Sequence, residues 1–249
     1  MPDPGARCDA RVMLDAPVTI HDVARRLPGI RTLRDHCRSM AMLEAILSPD
    51  WDNRYYSFDA HWSDGEEVAS MRNGSGDEFS VVFSAAGAYV RGFAHESPMS
   101  PYVGDGPWPG VLDEVPEVFR AYVEEDAFSD EDGMPVVTAC AWREAGDAAW
   151  RAGTIAFPDG GGGDPDGSGY LFRLLVDRSA EAFRDFAEDC HEVPVSLAAV
   201  RHVWALKPLT DEVVTALAPG GPDAPEMSLD SLAPDIAGIG YPTGGGTGS

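Results

Sequence analysis

The chain has 249 residues, 44% hydrophobic and 9% aromatic, which supplies apolar side chains for one large domain or two small ones and excludes a wholly disordered chain. Its 42 acidic residues against 18 basic ones give a net charge of -24, a potential that repels nucleic acid and anionic membranes and attracts basic proteins and cations. The imbalance is uneven, because the first 38 residues carry +2 and the remainder -26.

Residues 1–17, with Pro2, Pro4, Gly5 and Pro17, read as a flexible leader. Val18 to Leu27 then resembles the first helix of LacI-type helix-turn-helix repressors, with arginines suited to phosphate contact. Pro28 stands where that motif has glycine, so an ordinary capped helix is the preferred expectation here. A DNA-associated regulator remains an alternative function.

Leu33, Cys37, Met40, Ala41, Leu43, Ile46 and Leu47 recur at helical spacing and stop before Pro49. From Arg54 the period becomes two, with Tyr56, Phe58, Ala60 and Trp62 on one face. Runs over Glu67–Arg72, Phe79–Phe83 and Tyr89–Phe93, separated by Asn73-Gly74 and Ala85-Ala86-Gly87, complete a four-stranded meander. Pro116 opens a helical stretch with Val118, Phe119, Tyr122 and Val123, and strands are expected over Val136–Arg143, Arg151–Phe157 and Val200–Leu206. Helices capped by Ser179 and Thr210 follow the same reasoning. The class is α+β, an antiparallel sheet of five to seven strands packed against several helices, forming a single domain over 18–218. Residues 219–249, with thirteen Gly or Pro, read as a disordered tail.

Three clusters bear chemistry. His61 lies on one strand opposite its apolar face, near Asp64, and His95 and Glu96 end another; together they would make a small acid-base or metal site for a hydrolase if those strand ends met. Asp164, Asp166 and Ser168 match the front of an EF-hand loop, but Leu175 stands where its bidentate acid belongs, so no metal is expected. Glu124, Glu125, Asp126, Asp130, Glu131 and Asp132 surround Phe128, which suits a basic partner steered by charge and anchored by an aromatic ring.

The Trp51-Asp52 to Phe58 opening, the Ser70 to Glu78 hairpin and the Gly92 to Ser97 close, with segments around Trp142, Trp150 and Tyr170, resemble uncharacterised bacterial proteins. Their general appearance is that of the acidic α+β immunity proteins of bacterial toxin systems, including the SUKH type. That resemblance implies an acidic protein-binding module neutralising a basic toxin, without catalysis or cofactor. No run of about 18 apolar residues or charged-then-apolar leader is present. A cytoplasmic protein is therefore expected, with Cys8, Cys37, Cys140 and Cys190 reduced and mostly buried.

Overall fold

A computed structural model describes residues 18–158, 163–220 and 227–244. The class is α+β: strands β1 (Tyr56–Ser63), β2 (Glu66–Arg72), β3 (Glu78–Ser84), β4 (Gly87–Phe93) and β5 (Ala139–Glu144) run in chain order through one five-stranded antiparallel sheet. Among the described residues the helices are α1 (Ile20–Arg26), α2 (Ile30–Leu47), α3 (Arg120–Val123), α4 (Ser168–Leu171), α5 (Arg173–Val176), α6 (Ala180–His191), α7 (Leu197–Trp204), α8 (Asp211–Leu217) and α9 (Ala233–Ile239). None is long and apolar enough to cross a membrane.

The chain divides into two compact units. One holds Arg31–Ala69 with the described residues from 177 onward, and the other holds residues 18–30 with the described residues of 70–176. The expected leader lies outside the described residues.

In the first unit α2 is the buried element, with Leu33, Met40, Leu43 and Ile46 removed from water. Ser39 Oγ donates to Val203 O of α7 at 3.2 Å, and the His36 ring meets Trp204 edge-on. Phe183 and Phe186 form the buried face of α6, whose Ser179 cap accepts from Ala182 N as its sequence implies. Residues 200–206 are not a strand. Ser196 caps α7 by accepting from Ala199 N, and Ala199, Val200 and Val203 fall on one buried helical face.

The tail reading of 219–249 is corrected where the structure describes it. Within 227–244, Leu232, Ile239 and Tyr241 are buried, and α9 packs on β1. Arg54 pairs with Asp235 of α9 at 2.5 Å, and Tyr241 Oη donates to Val203 O and Lys207 O. Counting Gly and Pro over the whole stretch had diluted a short apolar pattern at 232, 236, 239 and 241.

In the second unit β3 and β4 form a hairpin whose register runs from Ser84 opposite Gly87 to Glu78 opposite Phe93. β5 pairs with β4 on its other side, with Tyr89 opposite Trp142. Tyr89 also lies against Phe119 and Tyr122. Gly92 is required by packing, because a Cβ there would lie 2.6 Å from Phe172 Cζ and 2.8 Å from Leu171 Cδ1. The strand expected over 151–157 does not form. Arg151 exchanges two backbone bonds with Trp142, and the chain then leaves the sheet. Trp108 Nε1 donates to Ala156 O, and Gly153 sits so close to Gly110 that a Cβ would be 2.0 Å from its carbonyl oxygen. Backbone contact with the 106–115 loop replaces the ladder.

Cys37 and Cys140 are free and buried, and burial raises both thiols, Cys140 to about 12. Cys190 is disulfide-bonded, so the expectation of reduced thiols fails there.

Candidate functional site

The β3–β4 register sets the site. With Glu78 opposite Phe93, one step beyond the ladder brings Asp77 level with Ala94 and within reach of His95. Asp77 Oδ1 accepts from the His95 backbone N at 2.8 Å and pairs with His95 Nδ1 at 2.7 Å. A carboxylate only accepts at neutral pH, so Nδ1 carries the proton and Nε2 is the basic nitrogen of the neutral ring. Asp77 is 9% exposed, whereas the His95 side chain is 38% exposed.

The turn before β3 holds the carboxylate rigidly. Asn73 Oδ1 accepts from Ser75 N and Asp77 N at 2.9 and 3.1 Å, an Asx turn that closes on itself. Asn73 Nδ2 donates to Asp77 Oδ2 at 2.8 Å and to Tyr170 Oη at 3.1 Å. Both Asp77 oxygens are therefore engaged from opposite sides.

Of the four residues expected to build an acid-base site, His95 takes part in this arrangement and its carboxylate partner is Asp77. Glu96 is exposed beside it. His61 and Asp64 are exposed residues of the other unit, where His61 N donates to Asp59 Oδ1 at 2.8 Å. Among the described residues no group of three or more His, Cys, Asp or Glu could hold a metal ion.

The EF-hand-like loop is built to cap helices. Asp164 accepts from Gly169 N and Tyr170 N at the start of α4. Asp166, 0% exposed, accepts from Ser168 N and from Ile20 N of α1 at 3.0 and 2.8 Å. Ser97 Oγ and Thr138 Oγ1 donate to the loop carbonyls of Pro165 and Asp166, each at 2.7 Å. Ser168 is buried. Backbone amides thus occupy all four carboxylate oxygens of Asp164 and Asp166 that a cation would need.

Burial raises the Asp166 carboxyl from 3.8 to about 6, against the two backbone N–H bonds that favour its charged form. Because the folded value lies above the unfolded one, this group's contribution to stability is full below about pH 4 and is lost as pH rises through 6. The Asp166→Asn variant removes that titration. The stability difference between it and the native chain should change by about 3 kcal/mol between pH 3.5 and 7.5, as read by urea unfolding. A pH-independent difference would show that the carboxyl titrates alike in both states.

The acidic run is a turn followed by a tight hairpin. Glu125 accepts from Ala127 N, and Asp130 Oδ1 accepts from Asp132 N and Met134 N at 3.1 and 2.9 Å. Glu124, Asp126, Glu131 and Asp132 are exposed. Phe128 is not an exposed anchor: it is 7% exposed, with the Arg91 guanidinium 4.9 Å above its ring.

An exposed aromatic ring does lie close by. Tyr102 is 59% exposed and Val103 72% exposed. The Tyr102 ring stands edge-on to Phe93 at 5.8 Å. Partial burial, with the charges of Asp130 and Glu78, raises its phenol above the ordinary value. The loop carrying it is pinned by buried Met99, whose N donates to Ser97 Oγ at 3.0 Å. Sequence reasoning missed Tyr102 because Asp105 is the one acid within four residues of it; folding brings Asp130 and Glu78 to it.

Comparison with protein-family models, with curated proteins and with solved structures finds no match to this chain.

Proposed function

We propose that this chain is an acidic protein-binding module that docks a basic protein through Tyr102, Val103 and the carboxylates of residues 124–132, in the manner of a toxin-neutralising immunity protein. The observation that carries the reading is the exposed Tyr102 ring beside Asp130 and Glu78. An aromatic ring on a pinned loop supplies contact area at small entropic cost, and surrounding carboxylates steer a cationic partner. The charge of -24 and the resemblance to SUKH-type immunity proteins support the same reading.

The test is capture from the native host at low salt, followed by kinetics with the purified partner. Glu124, Asp126, Glu131 and Asp132 are neutralised to Gln and Asn, leaving the turn-forming Glu125 and Asp130 intact. Association should slow and lose much of its salt dependence, with dissociation little changed. Tyr102→Ala should instead raise the off-rate, costing about 2 kcal/mol of binding or roughly 30-fold. A partner bound equally well by both variants would place the interface elsewhere and overturn the assignment.

A further inference from the structure

The pair formed by Asp77 and His95 has the parts of a proton-transfer site. We infer that His95 Nε2 is a general base, oriented by Asp77, for hydrolysis of a small neutral or cationic ester.

Three observations carry this. The Nδ1 side of the ring is held by a buried carboxylate at 2.7 Å, which fixes the tautomer with its basic nitrogen on the other side. The ring is substantially open to solvent, and Nδ1 makes its one side-chain hydrogen bond to Asp77. The carboxylate is itself held at Oδ2 by Asn73 Nδ2 at 2.8 Å and cannot swing away from the ring without breaking that bond. A histidine needed only to tie the loop after β4 would be redundant, since its backbone N already bonds the same oxygen. Gly76 lies against the ring, with an added Cβ 3.5 Å from His95 Cβ and Cγ, so the turn also forms one wall beside the imidazole.

The charge around the pair selects the substrate class. Asp77 lies against the ring and the exposed Glu96 follows it in the chain, and these carboxylates disfavour an anionic ester. In the reaction, Nε2 takes a proton from water as the water oxygen bonds to the acyl carbon. The ester C–O bond then breaks, and the imidazolium returns that proton to the departing alkoxide. The products are one acid and one alcohol, with no net change in the protein. Asp77 is a positioning residue, acting through the ring.

The test uses the full chain with p-nitrophenyl acetate as neutral probe, butyrylcholine as cationic probe and a p-nitrophenyl succinate half-ester as anionic probe. Turnover should exceed that of equimolar imidazole at least 100-fold for the neutral or cationic probe, and should rise with pH along one ionisation. His95→Gln, which can still donate to Asp77, should abolish the pH-dependent rate. Asp77→Asn should lower kcat 10- to 1000-fold with KM little changed, because an amide no longer holds the ring in the tautomer that leaves Nε2 as the acceptor. Melting curves establish that each variant is folded. Rates no higher than imidazole, or a folded His95→Gln variant that keeps the native rate and profile, would overturn the inference. Loss of partner binding in the Tyr102→Ala variant bears on neither result, since that residue is outside the pair.

Discussion

Replacing Glu44 with alanine is expected to lower the stability of the α2 unit by about 3–5 kcal/mol, the range seen when one member of a buried polar pair is removed. Glu44 is 0% exposed on the inner face of α2. Its Oε2 accepts from Tyr55 N at 2.9 Å, and its Oε1 meets His191 Nε2 at 3.0 Å. The His191 side chain is only 12% exposed, and Tyr55 stacks edge-on against both His191 and Phe186. Truncation at Cβ leaves the Tyr55 amide and the His191 ring without this acceptor in an enclosure of aromatic rings, and opens a void as well. Glu44→Gln keeps an acceptor and most of the volume, so its loss should be about 1–2 kcal/mol. Urea unfolding gives the magnitude, and amide exchange in α2 and α6 gives the location. Equal losses for Ala and Gln would assign the effect to charge; a loss below 1 kcal/mol for Ala would show that water reaches the vacated site.

The second large effect is expected at Phe128. Phe128→Ala should cost about 3–5 kcal/mol, as for other buried phenylalanines. The ring lies under Arg91, whose side chain is 3% exposed and whose guanidinium bonds Glu78 at 2.7 Å and Val136 O at 2.6 Å. Removing the ring takes away a cation–π face and the packing beneath a buried charge, so water must enter to solvate it. Phe128→Leu should lose far less, about 1–1.5 kcal/mol, because most of the volume stays. The measurement is again urea unfolding, now with exchange in β3, β4 and β5. A neutral Phe128→Ala variant that weakens partner binding would reverse the assignment and return Phe128 to the interface.

Local pattern was sufficient wherever one element carries its own signal. The alternation from Tyr56 to Trp62 and the two-residue turn at Ala85-Ala86 specify β1 and the β3–β4 hairpin, because side-chain period and turn length are properties of neighbouring residues. That turn also pairs residue 77 with residue 94 by simple counting, so the meeting of Asp77 and His95 was legible in the sequence even though a different quartet was drawn from it. Glu44 likewise announced itself as an acid at helical spacing between Met40 and Leu47.

Other features depend on residues far apart in the chain. Val200–Leu206 carries β-branched residues whose helical state is decided by the Ser196 cap and the groove against Ser39. Arg151–Phe157 has a strand-like composition, but contacts with Gly110 and Trp108 hold it off the sheet. Asp166 is neutralised as a ligand by the start of α1, 146 residues earlier. Burial decided the roles of the two aromatic residues: Phe128, amid six acids in sequence, lies under Arg91, while Tyr102, with Asp105 as its one near acid, is exposed beside Asp130. Charge and turn chemistry are local and were fixed by the chain itself. Which side of a ring meets water depends on packing partners that only tertiary structure supplies.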